Sequence, residues 1–312
     1  MNITLPELSD RIEKVYNLTN PCVLCPRDCK VNRKKGEKGF CKAEYKLKVS
    51  RIFPHFGEEP PISGTYGSGT IFFSNCNLRC VYCQNYPFSQ QSEGDEISKE
   101  TLAQKMIWLQ NQKCHNINLV TPTHFLPFIL ESIYQAKKAG LSIPIVYNTS
   151  GYEKIEILKL LYGIIDIYLV DMRYANKESS RQYSGAYDYP QINQNAVREI
   201  FQQTGDIEIN EDNIMQKGLI IRHLILPNSI AGSESIFEFI YENFSNKIPI
   251  SLMSQYFPYH QAKKCPELDR KITRDEYDKA VHLAEKYNFE YGWFQEFTEE
   301  EDKKFAGAYF NN

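Results

Sequence analysis

The sequence predicts an α/β fold, a partial (βα)6 TIM-like barrel with a small N-terminal Cys-rich knuckle. Three observations predict it. Six apolar runs of strand length recur from residue 70 onward, each followed by a helical pattern. The runs are nearly continuous in hydrophobicity, as strands covered on both faces are. Four cysteines crowd into residues 22–41, before that rhythm begins. On this reading residues 1–69 hold an N-terminal helix, the knuckle and a connecting loop. Residues 70–312 hold the barrel with its C-terminal helix.

The chain opens with a helical start over residues 1–14, which lacks the apolar core of a signal peptide. Cys22, Cys25, Cys29 and Cys41 follow in the spacing C-x2-C-x3-C-x11-C. This stretch has no apolar periodicity, so a bound metal has to hold its fold. Structural zinc and a second iron–sulfur cluster both accept four thiolates. The plainer alternative, four unrelated buried thiols, fits poorly with such tight clustering. The basic run at residues 30–38 reads as a solvated loop. Residues 45–69 carry Glu58-Glu59-Pro60-Pro61 and glycines at 64, 67 and 69, and read as a loop into the barrel.

The six runs are residues 70–74, 117–121, 143–148, 165–170, 219–226 and 248–254. Helical stripes lie between them. Leu102, Met106 and Leu109 share one face. So do Leu126, Ile129, Leu130 and Ile133, with Gly140 as a stop. Thr273 and Glu276 have capping-box spacing before Tyr277, Ala280, Val281 and Ala284. The long segment between the fourth and fifth runs implies an extra helix, with an excursion at residues 205–213.

Composition narrows the function classes. A formal net charge of -3 argues against a polyanion-binding surface, so nucleic acid is not an expected partner. No apolar stretch is long enough to span a membrane. A cytoplasmic location is the default expectation, and there nine cysteines stay reduced. Seven of the nine fall into two groups with ligand spacing, which points to metal or cluster binding. Cys114 and Cys265 are left as lone, inert thiols.

The second group is Cys76, Cys80 and Cys83, spaced C-x3-C-x2-C directly after the first run. Three thiolates fill three corners of a four-iron cube and leave one iron open for chemistry. A structural zinc triad completed by a distant ligand is the bland alternative. Other polar residues also follow the runs: Thr121, Thr123 and His124; Asn148 and Thr149; Asp171 and Arg173; Gln255 and Tyr256. Arg222 and His223 lie within the fifth. In parallel barrels the ligand site lies at the carboxyl ends of the strands. Asp171 could equally cap a helix, and His124 and His223 read as hydrogen-bonded core histidines. An arginine inside an apolar strand needs a partner.

The cysteine triplet, with Tyr82 before its last member and a (βα)6 pattern around it, resembles the radical S-adenosylmethionine superfamily. Within it the sequence is most similar to the pyruvate formate-lyase activating enzyme-like subgroup. The segments that carry the resemblance are Cys22-Val-Leu-Cys25-Pro-Arg-Asp-Cys29, Gly57-Glu-Glu-Pro-Pro-Ile-Ser-Gly64, Gly67-Ser-Gly-Thr-Ile-Phe-Phe73 and Cys83-Gln-Asn85. Further on come Asn116-Ile-Asn-Leu-Val-Thr-Pro-Thr-His124, Ile143-Pro-Ile-Val-Tyr-Asn-Thr-Ser-Gly151, Asp166-Ile-Tyr-Leu-Val-Asp171 and Arg222-His-Leu-Ile-Leu-Pro227.

The resemblance implies a 4Fe-4S cluster on Cys76, Cys80 and Cys83 whose open iron chelates S-adenosylmethionine. An electron from the cluster cleaves the sulfonium, and the 5'-deoxyadenosyl radical abstracts hydrogen from a substrate. Tyr82 matches the aromatic beside the adenine. Thr121-Pro-Thr123 stands where relatives carry Gly-Gly-Glu, so hydroxyls, carbonyls or another carboxylate must meet the methionine ammonium. Asn148, Thr149 and Asp171 match positions near a cation and the cofactor. Arg173 and Arg222 match positions near the methionine carboxylate. A strand-six histidine has no counterpart; Gln255 and Tyr256 stand there.

The expected activity is that of an oxidoreductase modifying a protein or peptide, with activation of a glycyl-radical enzyme as the narrower reading. A reducing partner such as flavodoxin or ferredoxin goes with it. The alternatives are a radical enzyme acting on a small molecule or RNA, and a non-catalytic electron-transfer or scaffold protein with two clusters.

Overall fold

Alternation along the strands sorts side chains into two environments. The computed structural model describes residues 3–244, 246, 248–289 and 291–298. Its strands are β1 (Lys48–His55), β2 (Ser68–Phe73), β3 (Asp95–Glu96), β4 (Ile117–Val120), β5 (Ile145–Thr149), β6 (Ile167–Asp171), β7 (Glu208–Ile209), β8 (Met215–Leu224), β9 (Ile250–Met253) and β10 (Gly292–Phe294). They form one sheet in the order β10-β9-β8-β6-β5-β4-β2-β1-β3, with β7 attached to β8. The six predicted strands are present and parallel, and β10 adds a short parallel strand beside β9.

The helices are α1 (Leu5–Asn17), α2 (Pro60–Ser63), α3 (Tyr86–Gln91), α4 (Lys99–Asn111), α5 (Leu126–Lys138), α6 (Ile155–Leu161), α7 (Lys177–Ser184), α8 (Tyr189–Thr204), α9 (Ser233–Phe244) and α10 (Arg274–Lys286). The stripes on α4 and α5 are buried as predicted. Thr273 and Glu276 close the expected capping box on α10. The long crossover from β6 to β8 holds two helices, α7 and α8, and the β7 excursion.

Outward-facing residues such as Ile117, Leu119, Ile145, Tyr147, Tyr168, Val170 and Ile221 belong to one large core shared with the helices. Inward-facing Val146, Ile167, Leu169 and Ile220 form a separate apolar cluster with Ile62 and Met215 inside the barrel. The same inward rows continue into Asn118, Asn148, Asp171, Arg222 and Ser251. The period of two thus delivers a polar set to the barrel interior.

Residues 45–69 differ from their reading as a loop. They contain β1, which pairs antiparallel with β2 through Phe53 opposite Thr70 and His55 opposite Ser68. Only Lys48 and Val49 of β1 pair with β3 on its other side. An edge strand tolerates the lysine, arginine and proline that disguise it in sequence.

Candidate functional site

The loop after β2 carries Cys76, Cys80 and Cys83 and is held from several directions. Asn75 N–H donates to the carbonyl of Phe88 at 2.8 Å, and Val81 N–H to that of Tyr183 at 2.9 Å. Asn77 Nδ2 donates to the carbonyl of Tyr152 at 2.9 Å. Arg27 Nε, from the knuckle, donates to the Asn77 carbonyl at 2.9 Å. Asn75 and Arg79 take left-handed backbone conformations. The turn aims polar groups at sulfur: Leu78 N–H lies 3.3 Å from Cys76 Sγ, and Ser89 Oγ lies 3.2 Å from Cys83 Sγ.

All three thiols line a cavity of about 670 Å³ at the mouth of the barrel. Burial pushes the thiol of Cys76 up, and that of Cys83 up to about 12. Metal binding displaces thiol protons, so a bound cluster would hold its ligands as thiolates. Three sulfurs on one wall, with hydrogen-bond donors behind them, form a donor set that fits a 4Fe-4S cluster.

Tyr82, Thr121, Asn148, Thr149, Asp171, Arg173 and Arg222 also line the cavity. Tyr82 is fully packed, edge-on to Tyr256 at 5.8 Å and Tyr174 at 6.2 Å. Arg173 pairs with Asp171 and points Nη1 at Cys80 Sγ, 3.7 Å away. Asp171 caps none of the described helices: Asn176 does that for α7. Thr121 has φ 57°, rarely tolerated by a β-branched residue, and its N–H donates to the Asn148 carbonyl at 2.8 Å.

Two expected positions need correction. Thr123 is buried away from the cavity, and its hydroxyl donates to Glu153 Oε1 at 2.6 Å. Thr149 reaches the cavity wall, but its hydroxyl donates to the same oxygen at 2.5 Å. On β5 the side chain of Thr149 falls on the outward row, one step from inward Asn148. Arg222 lines the cavity but is already engaged within the protein. Its Nε donates to Glu59 Oε1 at 2.7 Å, and its Nη2 contacts both Glu58 and Glu59. At 8% exposure the guanidinium needs these counter-ions. Burial pushes the Glu59 carboxyl up, but the Arg222 charge and hydrogen bonds outweigh it and hold the group below its usual range.

Sequence reasoning left Glu58, Glu59 and Glu153 without a role. Glu58 also accepts from Asn118 Nδ2 at 2.8 Å, so the two adjacent glutamates tie β4 to β8 across the barrel. The available signal was the lone arginine in an apolar strand, which demanded a carboxylate somewhere. Glu153 is buried behind the cavity, and burial raises its carboxyl to about 7. His223 contacts the Met172 carbonyl and Ser233, as a core histidine does.

Cys22, Cys25, Cys29 and Cys41 line a second, much smaller cavity. No described helix is long and apolar enough to cross a membrane.

The sequence pattern of the Radical SAM superfamily matches residues 70–214, the segment that opens on β2 and its cysteines. An uncharacterized protein of Methanocaldococcus jannaschii is 34% identical over 295 residues, covering 91% of this chain and 80% of its own length. Among solved structures, Streptococcus suis SuiB bound to precursor peptide SuiA gives a TM-score of 0.49 at 11% identity, over 71% of this chain and 46% of that one. A radical SAM methyltransferase from Sphaerobacter thermophilus gives 0.49 at 10% identity, over 72% and 65%. This chain therefore spans less than two thirds of either solved structure. The matched pattern and the M. jannaschii relative, taken with the cysteine wall they cover, establish that the chain belongs to the radical S-adenosylmethionine superfamily.

Proposed function

We propose that this protein is a radical S-adenosylmethionine enzyme that abstracts hydrogen from a protein or peptide, in the manner of an activating or modifying enzyme. The observation that carries the reading is one cavity in which the three thiols face a polar barrel interior. Its volume of about 670 Å³ falls in the range of cofactor pockets.

Superfamily membership implies a 4Fe-4S cluster and S-adenosylmethionine, and Cys76, Cys80 and Cys83 are the residues that would hold the cluster. When bound and reduced, it supplies the electron that breaks the sulfonium of S-adenosylmethionine to give a hydrogen-abstracting carbon radical. The protein's own part is binding and shielding. Arg173 and Ser89 donate toward the sulfurs and temper their charge. Tyr82 supplies a rigid apolar wall for the adenine. Glu58, Glu59 and Asp171 face the cavity against only Arg173 and Arg222. That surplus of carboxylate suits a ligand whose sulfonium and ammonium outweigh its single carboxylate. Thr121, Asn148 and Asp171 supply acceptors for the ammonium in place of a strand-two glutamate. A low-potential flavodoxin or ferredoxin is the proposed electron donor.

Anaerobic incubation with dithionite and S-adenosylmethionine should yield 5'-deoxyadenosine. Absence of that product from a protein whose cluster is intact and reduced sinks the reading. Activation of a glycyl-radical enzyme is the narrower version. It requires a glycyl signal on a candidate partner by electron paramagnetic resonance.

A further inference from the structure

The four N-terminal cysteines are not used by this reaction, and their surroundings carry an inference independent of it. Cys22, Cys25, Cys29 and Cys41 line a single small cavity together with Arg33 and His124. The knuckle around it is tightly tied. Cys22 N–H donates to the Val31 carbonyl at 3.0 Å, and Lys30 N–H to the Cys22 carbonyl at 2.9 Å. Phe40 N–H donates to Cys29 Sγ at 3.3 Å. Gly39 is required beside it, because a Cβ there would lie 2.8 Å from that sulfur.

Arg33 is the decisive group. It is 2% exposed, although it lies in a basic run that reads as a solvated loop. Its Nη1 donates to the His124 carbonyl at 2.7 Å and its Nη2 to that of Glu44. Its Nε–H is buried without an acceptor. Among the described residues no carboxylate forms an ion pair with it. A buried guanidinium without a counter-ion is costly. Four neutral thiols do not offset that charge, whereas four thiolates on a metal centre do. His124 also lines this cavity. Its Nε2 faces the Ser74 carbonyl at 2.7 Å, so that nitrogen carries the hydrogen. Its Nδ1 is left as a buried lone pair with no partner.

Both cysteine sets line a cavity, and at Cys76, Cys80 and Cys83 the superfamily implies a four-iron cluster. We propose that the knuckle holds a second 4Fe-4S cluster, ligated by all four cysteines and with Arg33 Nε–H donating to its anionic face. Having no open iron, it would carry electrons and bind no substrate.

The test uses the full chain purified anaerobically without added metal. Wild type should contain about eight irons and eight sulfides, and the Cys76→Ala/Cys80→Ala/Cys83→Ala variant about four of each, with a four-iron Mössbauer signature and no zinc. This variant isolates the knuckle, so the result stands whether or not 5'-deoxyadenosine is formed. Cys29→Ser should halve the iron of wild type. Arg33→Gln in the triple variant should lower the potential of the remaining cluster, because a positive charge beside it is lost. One zinc per chain in place of the second four irons overturns the proposal. So does a wild-type chain that saturates at about four irons with the knuckle metal-free. An unchanged potential in Arg33→Gln overturns the role given to Arg33.

Discussion

The two cysteine sites differ in how their charges are balanced. The triplet opens on a large cavity whose ions are already paired with one another: Arg222 with Glu58 and Glu59, Arg173 with Asp171. The quartet closes on a small cavity whose buried cation, Arg33, has carbonyls and the Phe125 ring for partners and, among the described residues, no carboxylate. A cavity whose buried cations already have counter-ions can exist empty and exchange a ligand at each turnover. A cavity with an uncompensated charge calls for a permanent anionic occupant. The comparison therefore assigns exchange to one site and permanence to the other, although their ligands are the same residue type.

The largest effect comes from separating the two sites. Cys80→Ala should abolish 5'-deoxyadenosine formation while leaving the knuckle iron in place, read by product chromatography and iron analysis on one preparation. Loss of all iron from this variant would mean that the two loops do not stand independently. The bonds of Arg27 to the carbonyls of Asn77 and Leu78 make that a fair challenge, since they tie one loop to the other.

Next is the paired floor of the open cavity. Arg222→Ala leaves Glu58 and Glu59 buried without a counter-ion, which should cost about 3–5 kcal/mol of stability by anaerobic urea denaturation. Adding Glu58→Gln and Glu59→Gln to that variant should recover much of the loss. Failure to recover would mean that the arginine is needed for shape and not as the counter-ion of the two glutamates.

Much of this architecture was legible in the sequence. Strands buried on both faces announce themselves as apolar runs, and cluster cysteines by their spacing. What was hidden depended on contacts distant in sequence. Glu58 and Glu59 meet Arg222 only after the chain has gone most of the way around the barrel. Arg33 looks like one more charge in a basic loop until the fold covers it. Thr123 follows a strand and Thr149 ends one, as ligand residues do, yet the hydroxyl of each is used by Glu153. Spacing showed where polar residues cluster, but not which way a turn would point them.

Glu153 stands between the sites. It holds Thr149 at the wall of the open cavity, and its charge is felt by Cys25 in the closed one. Burial raises its carboxyl from 4.5 to about 7, against the lowering effect of its hydroxyl donors. The folded chain thus binds this proton more tightly than the unfolded chain does. That contribution is fully present below pH 4.5 and is lost as pH rises through about 7. Glu153→Gln should remove it. The stability of wild type relative to the variant should fall with rising pH across that window, by up to about 3 kcal/mol. A pH-independent difference would mean that Glu153 stays ionised, and the partition between the sites would be charged.

Thr121 offers the smallest and most local test of the open cavity. A β-branched residue at φ 57° stores roughly 1 kcal/mol or more of backbone strain. The strain holds the turn after β4 so that Thr121 lines the cavity and its N–H reaches Asn148. Thr121→Gly relieves it, but also loosens the unfolded chain, so the net gain in stability should be below about 1 kcal/mol. Binding of S-adenosylmethionine should weaken in the same variant, because the turn is no longer fixed. An exchanging site that relies on preorganised backbone predicts this opposite movement of stability and affinity. If both are unchanged, the turn is set by its neighbours and Thr121 is not part of the cofactor wall.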